Sequence, residues 1–167
     1  MENEVARIKR KAPLVALTAT GVALVAIAVY TLSGPEYTVE SGPFAQDTHC
    51  TRVVDGLPAE LMGMKRDSLK GAGVAGWGDG SIVLRCGVEP LAPTINTCMN
   101  VNGTDWVLDE ERAEREGVRV LTTYGRVPAV EIAFAQSNQS AGDALIAIDR
   151  SVRAIPQRSK CIGLGDT

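Results

Sequence analysis

Residues 118–135, VRVLTTYGRVPAVEIAFA, decide the fold. Residues 118–124 and 127–135 alternate or run apolar on either side of Gly125-Arg126. That pattern predicts two strands around a tight turn, and strands joined so closely run antiparallel. Two more strands are expected upstream. Residues 81–88, SIVLRCGV, read as one. Residues 98–108, CMNVNGTDWVL, read as another, broken or bulged at Asn102-Gly103.

The flanking stretches read as helix and loop. Residues 109–117, DEERAEREG, form a charged helical turn with a solvated face, ended by Gly117. Ser140 with Asp143 makes a start like a capping box. Ala144, Leu145, Ile148, Val152 and Ile155 then share one helical face until Pro156. Upstream, residues 57–63, LPAELMG, predict a short helix with Pro58 in its first turn and Gly63 at its end. Residues 65–80 read as a loop holding five glycines, without the Lys-Ser/Thr of a phosphate-binding loop. The expected fold is α+β: a roughly four-stranded antiparallel sheet with helices on one face.

Ahead of this domain stands an uncharged run, residues 12–33, APLVALTATGVALVAIAVYTLS. As a helix, 22 residues reach about 33 Å, enough for a hydrocarbon core of about 30 Å. Arg7, Lys9, Arg10 and Lys11 precede it, which predicts a cytoplasmic N-terminus and an extracytoplasmic C-terminal domain. Ala26-Ile27-Ala28 fits a signal-peptidase pattern, but the apolar run continues through Val29, Tyr30 and Leu32. An uncleaved transmembrane helix is therefore the expectation. The organisation expected is a basic tail, residues 1–11, the membrane helix 12–33, a stalk or linker 34–47 with two Gly-Pro steps, and the domain 48–167.

The chain carries 17 basic and 20 acidic residues. Setting aside the four basic residues and Glu2 and Glu4 of the tail leaves 13 and 18, a net −5 beyond the anchor. That balance argues against nucleic acid as a partner. All four cysteines, Cys50, Cys86, Cys98 and Cys161, lie beyond the anchor. In an oxidising compartment they predict two disulfides, with three possible connectivities. Spacing along the chain suggests Cys86–Cys98, tying the loop between the first two strands, and Cys50–Cys161, closing the largest loop. No pair has zinc-finger spacing and His49 is the one histidine, so no metal site and no cofactor are expected.

These residues resemble a known family. Cys50, Leu57-Pro58, Gly76-Trp77-Gly78-Asp79, Leu84-Arg85-Cys86-Gly87-Val88, Cys98, Trp106, Thr123-Tyr124-Gly125-Arg126-Val127-Pro128 and Cys161 together look like an actinobacterial family carrying domain of unknown function 3515. The resemblance covers about residues 48–162. It implies a single-pass, membrane-anchored, extracytoplasmic protein and brings no activity or cofactor with it.

No catalytic residue is expected. A hydrolase needs a base beside its nucleophile, and His49 adjoins a cysteine read as bridged. The candidate binding residues are Trp77, Asp79, Arg85, Trp106, Tyr124 and Arg126, of types that anchor interfaces or hold carboxylates. Against that stand core packing for the tryptophans, a turn role for Arg126 and a solvent-facing strand role for Arg85. The functional expectation is a non-enzymatic, membrane-anchored envelope protein, an accessory or assembly subunit of a larger membrane or cell-wall complex. Its partners would be the bilayer, through residues 12–33, and a membrane or envelope protein. A ligand-binding module is the alternative, and requires Trp77, Arg85 and Arg126 to meet in one pocket. A cell-wall hydrolase would need a deep cleft.

Overall fold

The computed structural model describes residues 36–135 and 140–161. The tail and anchor expected at 1–33 lie outside them. Among the described residues no helix is long and apolar enough to cross a membrane.

The described residues form ten strands and three helices in chain order: β1 (Tyr37–Thr38), α1 (Thr48–Gly56), β2 (Glu60–Leu61), β3 (Met64–Lys65), β4 (Leu69–Lys70), β5 (Val74–Trp77), β6 (Ile82–Val88), β7 (Cys98–Val101), β8 (Thr104–Leu108), α2 (Glu110–Glu116), β9 (Arg119–Thr123), β10 (Ala129–Phe134) and α3 (Ala141–Val152). The main sheet has six strands in the order β5-β6-β10-β9-β8-β7, every neighbouring pair antiparallel. The fold class is α+β as expected, with six strands in place of four.

The extra strands come from turn chemistry. Residues 98–108 form a hairpin, not one bulged strand. Asn102 (φ 51°) and Gly103 (φ 87°) both adopt positive φ, which is what a two-residue turn requires for tight pairing. Met62 and Gly63 do the same between β2 and β3, so residues 57–63 hold a small hairpin where a helix was expected. The helix lies just upstream instead. Asp47 caps α1 by accepting from the His49 amide, and Leu57 is extended because Pro58 follows it. Pro58 therefore stops a helix and does not start one. Residues 65–80, read as loop, contain β4 and β5.

Period-two alternation divides the sheet. Trp77, Ile82, Phe134 and, along neighbouring strands, Leu84, Ile132 and Leu121 face inward. They bury against Cys50 and Val53 of α1 and Ala144, Leu145, Ile148 and Val152 of α3. Helices α1 and α3 pack against each other there. Ser140 is the N-cap of α3, but its side chain makes no capping hydrogen bond. Helix α2 departs from the expected arrangement of helices on one face. It buries no residue, and Arg112 reaches Glu131 on the opposite, outer face at 3.8 Å.

The register runs across that outer face as Val74, Arg85, Glu131, Thr122, Val107 and Cys98. Cys86 points inward with Leu84, whereas Cys98 points outward. Their strands are four places apart, about 19 Å at sheet spacing. Cys86–Cys98 is thus impossible, and the expected pairing is corrected. The bridges are Cys50–Cys86, with Cα atoms 5.3 Å apart, and Cys98–Cys161, at 6.4 Å. Loop closure could not have chosen between pairings, because its cost grows only as the logarithm of loop length.

The stretch read as a stalk is, from Tyr37 onward, part of the fold. β1 pairs in parallel with β4. The Phe44 amide donates to the Gly87 carbonyl at 2.8 Å, and Arg85 Nε donates to the Glu40 carbonyl at 3.0 Å. This segment crosses the outer face over β5 and β6 with backbone against backbone. A Cβ on Gly87 would lie 2.3 Å from the Ala45 nitrogen, and Gly87 has φ +91°. Gly87→Ala is expected to cost about 3 kcal/mol or more in chemical denaturation, because strain and overpacking act together. An exposed control with ample room, Gly142→Ala, should not destabilise.

Candidate functional site

Trp77 and Trp106 are wholly buried on the inner face, so both serve the core. The Trp77 indole N–H donates to the Pro58 carbonyl at 3.1 Å, which ties β5 to the chain after α1. Asp79 is exposed in the turn after β5, with φ 54°. Arg85 sits half-buried on the outer face, 3.1 Å from Glu131. It is opposite Val74 in the register, whereas Trp77 is opposite Ile82. The two side chains therefore leave opposite faces of the sheet. Arg126 lies on the β9–β10 connection, at the end of β10 away from Phe134 and hence from Trp77. About 17 Å of strand separates those ends. Trp77, Arg85 and Arg126 do not meet, and the single pocket joining them is not formed.

Arg126 is instead the centre of a buried polar cluster. It follows Gly125, where a Cβ would collide with the Ser159 carbonyl. The turn and the C-terminal segment are therefore in backbone contact. Arg126 is 3% exposed. Its Nη1 donates to the Ile155 carbonyl, and its Nη2 donates to Thr104 Oγ1 at 3.0 Å and to Gln157 Oε1 at 3.4 Å. Its Nε is buried with no hydrogen-bond partner among the described residues. Thr104 in turn donates to Asp149 Oδ1 at 2.9 Å, and Asp149 pairs with Arg153 at 3.2 Å. Burial lowers the Arg126 pKa, with Asp149 and Asp105 opposing the shift and Arg153 adding to it.

Asp105 extends the cluster to the outer face. Its carboxylate accepts from Asn100 Nδ2 at 2.5 Å, Gln157 Nε2 at 2.7 Å and the Cys161 amide at 2.9 Å. The Tyr124 amide donates to the Asp105 carbonyl at 2.8 Å, and the Tyr124 side chain is half-buried. Of the six candidates, then, Arg126, Tyr124 and Trp106 share one end of the sheet through β8 and β9, while Trp77, Asp79 and Arg85 lie elsewhere. Sequence reading passed over Thr104, Asp105, Asp149 and Gln157. Asp149 carries a usable signal: a carboxylate one place after Ile148 on a helix whose apolar face is otherwise regular.

A second carboxylate is also organised. Asp67 accepts from the Tyr37 hydroxyl at 2.7 Å and from the amides of Asp79 and Gly80 at 3.0 and 2.9 Å. Burial pushes its pKa up, but the Tyr37 hydroxyl and these amides outweigh it, and the net shift is downward. The same contact, with burial as the leading cause, drives the Tyr37 pKa up. Asp67 thus fastens β1 to the Gly78–Gly80 turn.

His49 bonds through Nδ1 to Asp47 at 2.8 Å, at the start of α1. Among the described residues no three His, Cys, Asp or Glu side chains group to hold a metal ion. Each organised carboxylate accepts three hydrogen bonds from its own chain, and among the described residues Arg126 bonds to neutral oxygens. These contacts fasten separate segments of the chain together.

Residues 13–160 match the model of a family described as "Protein of unknown function (DUF3515)". No curated protein and no solved structure matches the chain.

Two variants test the fastening roles. Arg126→Met leaves several buried acceptors unpaired and is expected to cost about 2–4 kcal/mol in urea denaturation. For Asp67 the sign follows from its lowered folded-state pKa. Its stabilisation is complete above the unfolded value of about 3.9 and is lost as pH falls through the folded value. Asp67→Asn should therefore be less stable than wild type by about 1–2 kcal/mol at pH 7. Unfolding curves between pH 7 and pH 2 should show the gap closing towards the acid end.

Proposed function

The chain belongs to the DUF3515 family, and on that premise we propose that it is a non-enzymatic, single-pass, membrane-anchored envelope protein that displays its α+β domain outside the cytoplasm. There the domain acts as an accessory or assembly subunit of a larger membrane or cell-wall complex. The observation that carries this reading is the order of features along the chain. Four basic residues precede an uncharged run long enough to span a bilayer, and every cysteine lies after it. All four cysteines are paired in disulfides. Such bonds persist where the surroundings are oxidising, which suits the far side of the membrane.

The composition of the domain supports a protein partner over nucleic acid, because it is net acidic. Its polar clusters, in which Asp67 and Asp105 each accept three hydrogen bonds from other segments of the chain, support a structural over a catalytic role. The bilayer is the first partner, through residues 12–33, and a membrane or envelope protein the second.

Two measurements test the reading. In spheroplasts carrying the full-length chain, protease added outside should degrade the C-terminal domain and spare an epitope placed on residues 1–11. The reverse pattern overturns the orientation. Purification in mild detergent from native membranes should return the same partner in near-stoichiometric amount in repeated preparations. A chain that purifies alone, with its domain folded, overturns the subunit role.

A further inference from the structure

The two disulfides differ in setting. Cys50 and Cys86 are both 0% exposed, inside the core between α1 and β6. Cys98 and Cys161 are both half-buried. Cys98 is on β7, which has one neighbour in the sheet, and Cys161 ends a segment that wraps the sheet from inner to outer face.

That segment, residues 156–161, leaves the end of the inner-face helix α3. It passes the β9–β10 turn, where Arg126 and Gln157 form an isolated bridge and the Arg158 amide donates to the Gly125 carbonyl at 2.6 Å. It then reaches the outer face, where Gln157 Nε2 and the Cys161 amide donate to the buried Asp105 carboxylate. Apart from Gln157 and Cys161, which are half-buried, its residues are exposed. It has no regular secondary structure and adds no residue to the hydrophobic core. It is a strap held by a few hydrogen bonds and one covalent bond, over a cluster that contains three buried charged side chains, Asp105, Arg126 and Asp149.

We propose that Cys98–Cys161 is a redox-addressable latch: reduction frees the strap and uncovers Asp105 and Arg126, while Cys50–Cys86 keeps the sheet and helices folded. The reductant is an external dithiol. One of its thiolates attacks Cys161 Sγ, and Cys98 leaves as a thiolate and takes up a proton. The second thiol of the donor then displaces Cys161 from the mixed disulfide. Two electrons and two protons pass to the protein, and the donor becomes a disulfide. The proposal rests on burial and strap contacts alone, so it stands or falls apart from the subunit reading above.

The two bonds should separate by accessibility, because exchange requires in-line approach of a thiolate to a sulfur. The test uses the full chain in detergent micelles. It is treated with graded dithiothreitol under native conditions and trapped with a maleimide, and the labelled cysteines are located by mass spectrometry. Cys98 and Cys161 should both label at a dithiothreitol concentration at least 10-fold below that needed for Cys50 and Cys86. Hydrogen exchange on the selectively reduced protein should speed up at least 10-fold in residues 156–161, with residues 129–134 unchanged. A double variant, Cys98→Ser with Cys161→Ser, should show the same exchange pattern without reductant.

Equal labelling of all four cysteines overturns the proposal. So does selective reduction that leaves exchange in the strap unaltered, and so does loss of protection throughout β10 on reduction.

Discussion

Everything in this domain is hung from the contact between α1 and the second strand of the sheet. Sheets need a second layer to cover their apolar face, and the chain supplies few aromatic residues for that purpose. Three of them, Trp77, Trp106 and Phe134, are wholly buried on the sheet side. The helix side is built from smaller residues, Val53, Ala144, Leu145, Ile148 and Val152. Cys50 and Cys86 join the layers covalently where they meet. By loop-closure reasoning, a bridge across 36 residues of sequence is worth about 4 kcal/mol. That is a large share of the net stability of a domain this size. With the two layers fixed, the alternation of each strand determines what faces the core and what faces out.

The outer face is finished differently. Among the described residues its cover is helix α2, which reaches Glu131 through Arg112, together with the segments that precede α1 and follow α3. The segment before α1 lies over β5 and β6 at backbone distance, which explains the glycines at 42 and 87, while Gly76 leaves room for the side chains of Tyr37, Leu69 and Asp67. The segment after α3 closes over β7 and β8. Between them stand Arg85, Glu131 and Arg112, a charged strip tolerable because it remains partly solvated. Polar side chains that must be buried here, such as Asp105, are saturated with donors, as low-dielectric surroundings require. In this protein the polar clusters are therefore explained by the way the segments before α1 and after α3 are attached to the sheet.

Much of this was legible in the sequence, and the failures have specific causes. Strands β6, β9 and β10 and helices α2 and α3 follow from alternation, helical spacing and the glycine stops. The Asn102-Gly103 turn was readable in principle, since that dipeptide favours the positive φ pair of a hairpin. The same dipeptide is equally compatible with a bulge inside one strand, and only the pairing of β7 with β8 distinguishes the two. Pro58 gave an ambiguous signal, as proline suits both the start of a helix and the position just beyond its end. The disulfide pairing was not legible at all. It depends on which strands are neighbours and which face each cysteine takes, and chain order does not carry that information. The candidate residues misled for a related reason: a buried tryptophan and a binding tryptophan have the same letter, and only the register distinguishes them.

The order of the bridges along the chain has a consequence for biogenesis. Cys50–Cys86 and Cys98–Cys161 are consecutive, neither nested nor interleaved. A chain emerging from its N-terminus presents the first pair complete before either cysteine of the second pair appears. Once closed and buried, that first bond removes Cys86 from competition with Cys98, the partner nearest to it in sequence. Cys98 then remains unpaired until the segment carrying Cys161 arrives. Correct oxidation can therefore follow from the order of emergence, with little need for later shuffling. Cys161 thereby acts as a checkpoint, since only a chain made as far as residue 161 can satisfy Cys98.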